Sequence, residues 1–501
     1  MIKDSSIYFI GVDLGTGGVR TSVIDTKGVV IVESEQNYDT YYPNIGWAEQ
    51  NPSDWWKALS KALHECISKL SQSEKIKIKA MCVCATSSTM VSVDKNGLPL
   101  SNAMLWMDSR SSDEALAINN THHSVLKYCG GEVSAEWLIP KILWLKHNNR
   151  ELYDQSYKLI EQLDLMNLNL SGEWITSNCN ATCKSNYLDF NGGWQKDFFK
   201  TIGFEDYKDK LILDVKDVGE PIGKIRRSIA ENLGISPDIM VVQGGIDAHI
   251  AILGLGVATG EKIGTIMGTS FVHLAFSKDA AFQNGIWGPY HNAVLPGYWL
   301  LEGGQISAGS IVKWFNKVFN IQSSNPFDLM SNEAKSIPIG ADGIVSLDFF
   351  QGNRTPYKNL NAKGVFYGLS LKHSRADIFR SILESVAFGT KNIIDNFESQ
   401  GCKINSMVVC GGITKDPVWL QIIADVTCKS VIITENSQVG ALGCCISAAV
   451  GMKTYSNFKE ASSNMVREIR TVEPIAKNSV LYQDIFEKYL EVYSSLKNLM
   501  I

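Results

Sequence analysis

At 501 residues the chain is too long for one compact core and suits two domains of about 250 residues, or three smaller ones. Its composition, 45% hydrophobic and 20% charged, is that of an ordinary globular protein, and 47 basic against 52 acidic side chains leave a net charge of only -5. That balance carries no polyanion-binding bias and argues against nucleic acid or an anionic membrane surface as a partner.

Along the chain, the opening MIKDSSIYFIGVDLG offers too short an apolar stretch for a signal peptide before it meets Asp13, which points to a cytoplasmic protein. The apolar run at 8–14 is broken by Asp13, stops at Gly15-Thr16-Gly17-Gly18 and resumes as an alternating strand. Two readings stand side by side. One is a tight hairpin with Asp13 capping the turn. The other is a phosphate cradle, in which the glycines let backbone N–H groups meet an anion and Thr16 and Arg20 donate further hydrogen bonds. Asp13 would repel phosphate directly, so the second reading needs Mg²⁺ or a water of its shell between them.

Residues 52–70 have helical periodicity with Pro52 in the first turn, and 79–93 read as one strand leading to a turn at Lys95-Asn96-Gly97. LWMDSR, residues 105–110, sets Trp106, Asp108 and Arg110 close together. It reads either as an aromatic face with hydrogen-bonding partners for a polyhydroxylated substrate, or as a surface ion pair beside a buried tryptophan. Further helices are expected at 136–148, 307–319, 374–398 and 415–427. Cys82 and Cys84 lie in a strand-like run and Cys179 and Cys183 stand near no histidine in the sequence, so no zinc pattern is read and packing accounts for both pairs. Eleven cysteines scattered over the chain fit reduced thiols rather than a disulfide framework. Val439–Met452 is apolar but falls short of the ~20 residues needed to span a bilayer.

The chain also repeats itself. IGVDLGTGGV at 10–19 aligns without a gap on IGTIMGTSFV at 263–272, with Gly15-Thr16 matched by Gly268-Thr269. VVQGGI at 241–246 is echoed by VVCGGI at 408–413, and a glycine-rich stretch at 254–260 marks the boundary. Strands alternating with helices in two related halves imply two α/β domains with ligands bound at a cleft. Asp247, two residues past Gly244-Gly245 at the start of an apolar helix, is either a residue favoured there by the helix dipole or a general base. His249 reads as a packing or hinge residue.

Taken in order, IGVDLGTGGVR, GWAEQNPSDWW, ATSSTMVSVDKNGLPL, LWMDSR, VVQGGIDAH, GTS, GGQISAGSIVKW, QGNRTPY with GVFYGLSLKH, and VVCGGITKDPVWLQIIAD with GALGCCISAAVG resemble the FGGY carbohydrate kinases nearly end to end. That family includes glycerol, xylulose and ribulose kinases, within the sugar kinase, Hsp70 and actin superfamily. The resemblance implies two ribonuclease H-like α/β domains flanking a catalytic cleft: 1–255 for sugar binding and the catalytic base, 256–501 for the nucleotide. It implies ATP-dependent phosphorylation of a sugar or polyol hydroxyl, with Asp247 as general base and Asp13 holding Mg²⁺. Gly15 and Thr16 would lie near the γ-phosphate, Gly268 and Thr269 on the second phosphate hairpin, and Gly309 and Lys313 on the nucleotide side, although glycerol kinases carry no lysine there. Gly411 and Gly412 match the adenosine loop, with Asp416 near purine or ribose.

Ser87-Ser88 stand where glycerol kinases place Arg-Glu and xylulokinases Met-His. TSSTMVSVD is more like the T-x-x-T-M-x-x-V-D of ribulokinases. With Trp106 and Asp108 they point to a ketopentose such as ribulose or xylulose, or its polyol. Another polyol or a tetrose-derived sugar is the alternative substrate, and a non-catalytic nucleotide-binding sensor the alternative class. A homodimer agrees with the family.

Overall fold

The computed structural model describes residues 7–282 and 285–500 and divides the chain into two compact units. Residues 1–6, part of the stretch read above for a signal peptide, lie outside the described residues. The chain changes unit after Ala258, close to the expected boundary at 255/256, but 288–300 and 438–467 belong with the first unit. No helix among the described residues is long and apolar enough to cross a membrane.

The first unit is built on a six-stranded sheet: β1 (Tyr8–Leu14), β2 (Gly18–Asp25), β3 (Val30–Asn37), β4 (Ile78–Ala85), β5 (Pro221–Lys224) and β6 (Met240–Val242), in the order β5-β6-β4-β1-β2-β3. A seven-stranded sheet holds β7 (Lys262–Met267), β8 (Phe271–Ser277), β9 (Trp287–His291), β10 (Trp299–Gln305), β11 (Ser406–Cys410), β12 (Ser430–Thr434) and β13 (Glu468–Val472), ordered β9-β10-β8-β7-β11-β12-β13. Setting aside the extra edge strand β9, the two orders match strand for strand. In each, an antiparallel hairpin (β1–β2, β7–β8) pairs in parallel with the next strand inward (β4, β11). That strand pairs in parallel with another (β6, β12), which takes an antiparallel edge (β5, β13).

The first repeat seen in the sequence is therefore a true structural duplication. The second is not: VVQGGI includes β6, two strands from its hairpin, whereas VVCGGI includes β11, directly beside its own. Both are buried parallel strands ending at a glycine turn, and that shared environment selects the same residues.

Nine of the helices among the described residues carry or support the candidate residues of the two units. They are α1 (Pro52–Ser68), α2 (Leu138–Asn148), α3 (Gln162–Ser171), α4 (Asn178–Lys184), α5 (Asp247–Gly254), α6 (Gly309–Val318), α7 (Arg375–Ser399), α8 (Pro417–Thr427) and α9 (Val439–Gly451). In α1, Asn51 accepts from the Ser53 N–H at the N-cap, and the stripe Trp55, Leu59, Leu63, Cys66 buries itself against the first sheet. The second unit has its own core, in which Phe379 of α7 and Trp419 of α8 are fully buried. Helix α9 packs on β1 and α5 within the first unit, with Gly443 set so closely that a Cβ there would lie 2.0 Å from the Ile250 carbonyl oxygen. The expected strand 79–93 is two strands, 78–85 and Met90–Val93, parted by a turn at 86–89. The second of these joins a small four-stranded sheet with Glu49–Gln50, Ala103–Met104 and Lys158–Glu161.

Candidate active site

In the first unit, the turn between β1 and β2 is held from behind. The Tyr38 hydroxyl donates to the carbonyls of Gly15 (2.5 Å) and Gly18 (3.1 Å), and the Gln50 amide donates to that of Thr16 (2.7 Å). The Gly15 N–H closes the turn on the Gly18 carbonyl, so Gly15 serves the hairpin and Thr16 and Gly17 form its outer tip. Trp106 is half-buried and donates its indole N–H to the Thr16 hydroxyl at 2.9 Å, joining LWMDSR to the glycine turn. Arg20, read as a further donor, is half exposed and pairs with Glu35 at 3.2 Å.

Asp13 lies at the end of β1 beneath this turn. The Cys84 thiol donates to its Oδ1 at 3.5 Å, and a Cβ on Gly440 of α9 would fall 2.4 Å from Oδ2, so the glycine there makes room for the carboxylate. Burial, reinforced by Cys444, raises the Asp13 carboxyl to about 6. Asp247 opens α5 without a side-chain cap before it and accepts the Ala248 N–H at 2.7 Å. Loss of solvation, followed by the negative charge of Asp13, raises it to about 7. Asp247 is thus a helix-terminal carboxylate whose proton affinity lies near neutrality. Gly244 and Gly245 before it are required by close approach: a Cβ would lie 1.9 Å from the Val83 carbonyl oxygen and 2.8 Å from Cys179 Cβ, respectively.

Ser87 and Ser88 occupy the turn that splits the expected strand. Ser88 is buried with φ of 54°, a backbone state that costs a serine and is maintained by its surroundings. Its N–H donates to Glu161 at 2.6 Å, and its carbonyl accepts the Lys141 ammonium at 2.8 Å. Lys141 also donates to the Leu105 carbonyl, so one buried cation on α2 spans the two loops expected to meet the substrate. Burial lowers Lys141 to about 7 and raises Glu161 to about 7. Neither residue stands out in the sequence, because each acts on a turn more than 50 positions away.

Asp108, expected to meet substrate hydroxyls, has both oxygens engaged by protein donors. They are the Ala48 N–H at 2.7 Å, the Arg110 N–H, and the Arg110 guanidinium, which lies 3.5 Å over the Trp47 ring. The ion-pair reading describes this residue, except that the pair is buried rather than superficial.

In the second unit, Gly268, Thr269, Gly309, Lys313 and Gly412 line a cavity of about 420 Å³ with Val312, Asn316, Phe327, Ile413 and Trp419. The Thr269 carbonyl accepts the N–H groups of Ala308 and Ser310, capping α6 in place of a side chain, and a Cβ on Gly309 would lie 2.5 Å from the Gly268 carbonyl oxygen. Gly411, at φ of 107°, crosses Met267 so closely that a Cβ would fall 2.1 Å from its carbonyl oxygen, while Gly412 faces open space. Asp416 does not line the cavity. It caps α8, accepting from the N–H groups of Val418 (2.8 Å) and Trp419 (3.3 Å). Asn316, absent from the sequence expectations, lines the cavity with a buried, unpartnered Oδ1. Its spacing from Gly309, Val312 and Lys313 along α6 is the helical signal that marks it.

The model of the FGGY family of carbohydrate kinases matches this chain in both parts, the N-terminal domain over residues 8–254 and the C-terminal domain over 264–452. The chain belongs to that family. This FGGY kinase, a phosphotransferase acting on carbohydrate, is 30% identical to an FGGY carbohydrate kinase domain-containing protein of Xenopus laevis, over 99% of this chain and 98% of the other. It is 29% identical to a ribulokinase of Halalkalibacterium halodurans, over 97% and 94%. A xylulose kinase from Rhodospirillum rubrum shares the fold with TM-score 0.90 at 22% identity, covering 98% of this chain and 99% of that one. A glycerol kinase from Plasmodium falciparum with ADP does so with TM-score 0.85 at 20% identity, covering 97% and 98%. The fold is thus the two-domain sugar kinase type expected from the sequence.

Proposed function

We propose that this FGGY kinase transfers the γ-phosphoryl group of ATP to a hydroxyl of a ketopentose such as ribulose or xylulose. The observation that carries the catalytic assignment is Asp247, a half-buried carboxylate raised to about 7 at the first position of α5. As the acceptor oxygen bonds to phosphorus and the bond to ADP breaks, Asp247 takes the hydroxyl proton. A base with proton affinity near the working pH suits that task.

The 420 Å³ cavity has the size of a small-molecule site, and its apolar walls, Val312, Phe327, Ile413 and Trp419, suit a nucleobase. Gly412 leaves backbone open to a ligand, and Asn316 offers an unpartnered acceptor for an amino or hydroxyl group. Lys313, exposed on α6, and the Gly268-Thr269 turn would neutralise and orient phosphate.

Asp13 fits Mg²⁺ as a hard oxygen donor predominantly ionised at neutral pH, its carboxylate admitted beside α9 by the missing side chain of Gly440. When bound, the ion supplies charge neutralisation to the phosphates. Thr16, fixed by Trp106 and Gln50, orients the tip of the first hairpin, and Ser87 and Ser88 read the acceptor's hydroxyls from a turn locked by Lys141 and Glu161.

The ketopentose assignment rests on the small serines at 87 and 88 and on the ribulokinase among the relatives that span nearly the whole chain. The thiol state of the eleven cysteines supports work in the cytoplasm. A coupled phosphotransfer assay over ketopentoses, pentitols, tetritols and glycerol is the direct test. The highest kcat/KM is expected on a ketopentose, and turnover confined to glycerol or tetritols would refute the assignment.

A further inference from the structure

Three soft ligands that the phosphotransfer leaves unused meet inside the first unit. Cys179 and Cys183 stand one helical turn apart on α4, and His249 lies on α5, brought beside them by the fold although nothing in the local sequence announces it. The sequence reading set zinc aside for want of a nearby histidine, and the fold brings one beside the pair. The Cys179 and Cys183 sulfurs lie 3.4 and 3.7 Å from His249 Nδ1, and the three atoms are within 4.8 Å of one another. All three side chains are buried.

Metal–sulfur bonds of about 2.3 Å and metal–nitrogen bonds of about 2.0 Å at tetrahedral angles place sulfur about 3.5 Å from nitrogen, between the two observed separations. Nδ1 offers a single lone pair or a single proton, so it can bond only one of the two sulfurs that converge on it. A disulfide is disfavoured too. Residues i and i+4 of a helix hold their Cβ atoms about 5–6 Å apart, and a disulfide needs about 3.8 Å. Two thiolates with a neutral imidazole cancel the charge of a divalent cation, which a buried site requires, and sulfur ligands reject magnesium and calcium.

We propose that Cys179, Cys183 and His249 form a zinc site that staples α4 to the first turns of α5. Three protein ligands leave the fourth position to a small ligand such as water. His249 follows Asp247 by two positions, so the metal acts on the reaction through the placement of the helix that carries the base. This holds whichever sugar the enzyme takes.

The test uses the full-length enzyme, purified reduced, stripped by chelation and reloaded. About one zinc per chain is expected by plasma mass spectrometry after gel filtration. Cobalt in place of zinc is expected to give a thiolate-to-metal charge-transfer band with tetrahedral ligand-field bands. Cys183→Ser and His249→Gln should each lower zinc retention at least about tenfold, whereas Cys428→Ser, at an exposed cysteine, should not. Wild-type enzyme holding fewer than about one zinc per ten chains overturns the proposal, and that result needs no variant to fold. A charge-transfer band that survives in the Cys179→Ser/Cys183→Ser double variant overturns it equally.

Discussion

The two hairpins β1–β2 and β7–β8 share a Gly-Thr turn and a place in matching sheets, although the second turns one residue sooner, Met267 pairing with Phe271 where Leu14 pairs with Val19, and one difference stands out chemically: Asp13 in the first is Ile266 in the second. The first hairpin ends over a carboxylate, with a second carboxylate, Asp247, feeling its charge. The second has half-buried Ile266 in that place and spends its turn on a carbonyl cap for α6 and a wall of the cavity. Duplication supplied the scaffold twice, and under the proposed roles a single acidic residue separates the copy that would manage protons and a cation from the copy that would hold a ligand by backbone and shape.

This contrast can be broken at graded cost. Asp247→Asn removes the base while preserving shape, and kcat should fall at least ~10²-fold with ATP and sugar affinities nearly intact in steady-state and binding measurements. Gly309→Ala presses a methyl onto the Gly268 carbonyl and should raise KM for ATP about tenfold while sparing that for the sugar. Equal rises in both KM values would show that the cavity is not the nucleotide's alone.

Asp13→Asn sharpens the comparison by pH. Free Asp247, raised to about 7, must lose its proton to act, so kcat/KM should fall as pH drops through that region. Without the Asp13 charge its proton affinity decreases, so the acid limb should move to lower pH while the magnesium demand rises. Last, Lys141→Met releases the Ser88 and Leu105 carbonyls, and a several-fold rise in sugar KM with little change in kcat is expected.

What the sequence made legible was local. The Gly-Thr turns, the amphipathic stripe of α1 and the Gly-Gly before Asp247 each carry their cause within a few residues. What stayed hidden depends on partners far along the chain. Ser88 holds its left-handed backbone through Glu161, 73 residues on, and Asp108 is claimed by Ala48, 60 residues back. His249 reaches Cys179 across 70 residues. The echo of VVQGGI in VVCGGI misled for a related reason, since equal burial writes similar strands at inequivalent places.

Helix α9 carries a consequence for biogenesis. It packs on β1, so the first unit lacks part of its interior until residues 439–451 have left the ribosome. Vectorial folding, one finished domain after another, is closed to this architecture. A nascent chain must keep β1 and the helix bearing Asp247 uncovered while the rest is still being synthesised, which makes that interval its most vulnerable to misassembly.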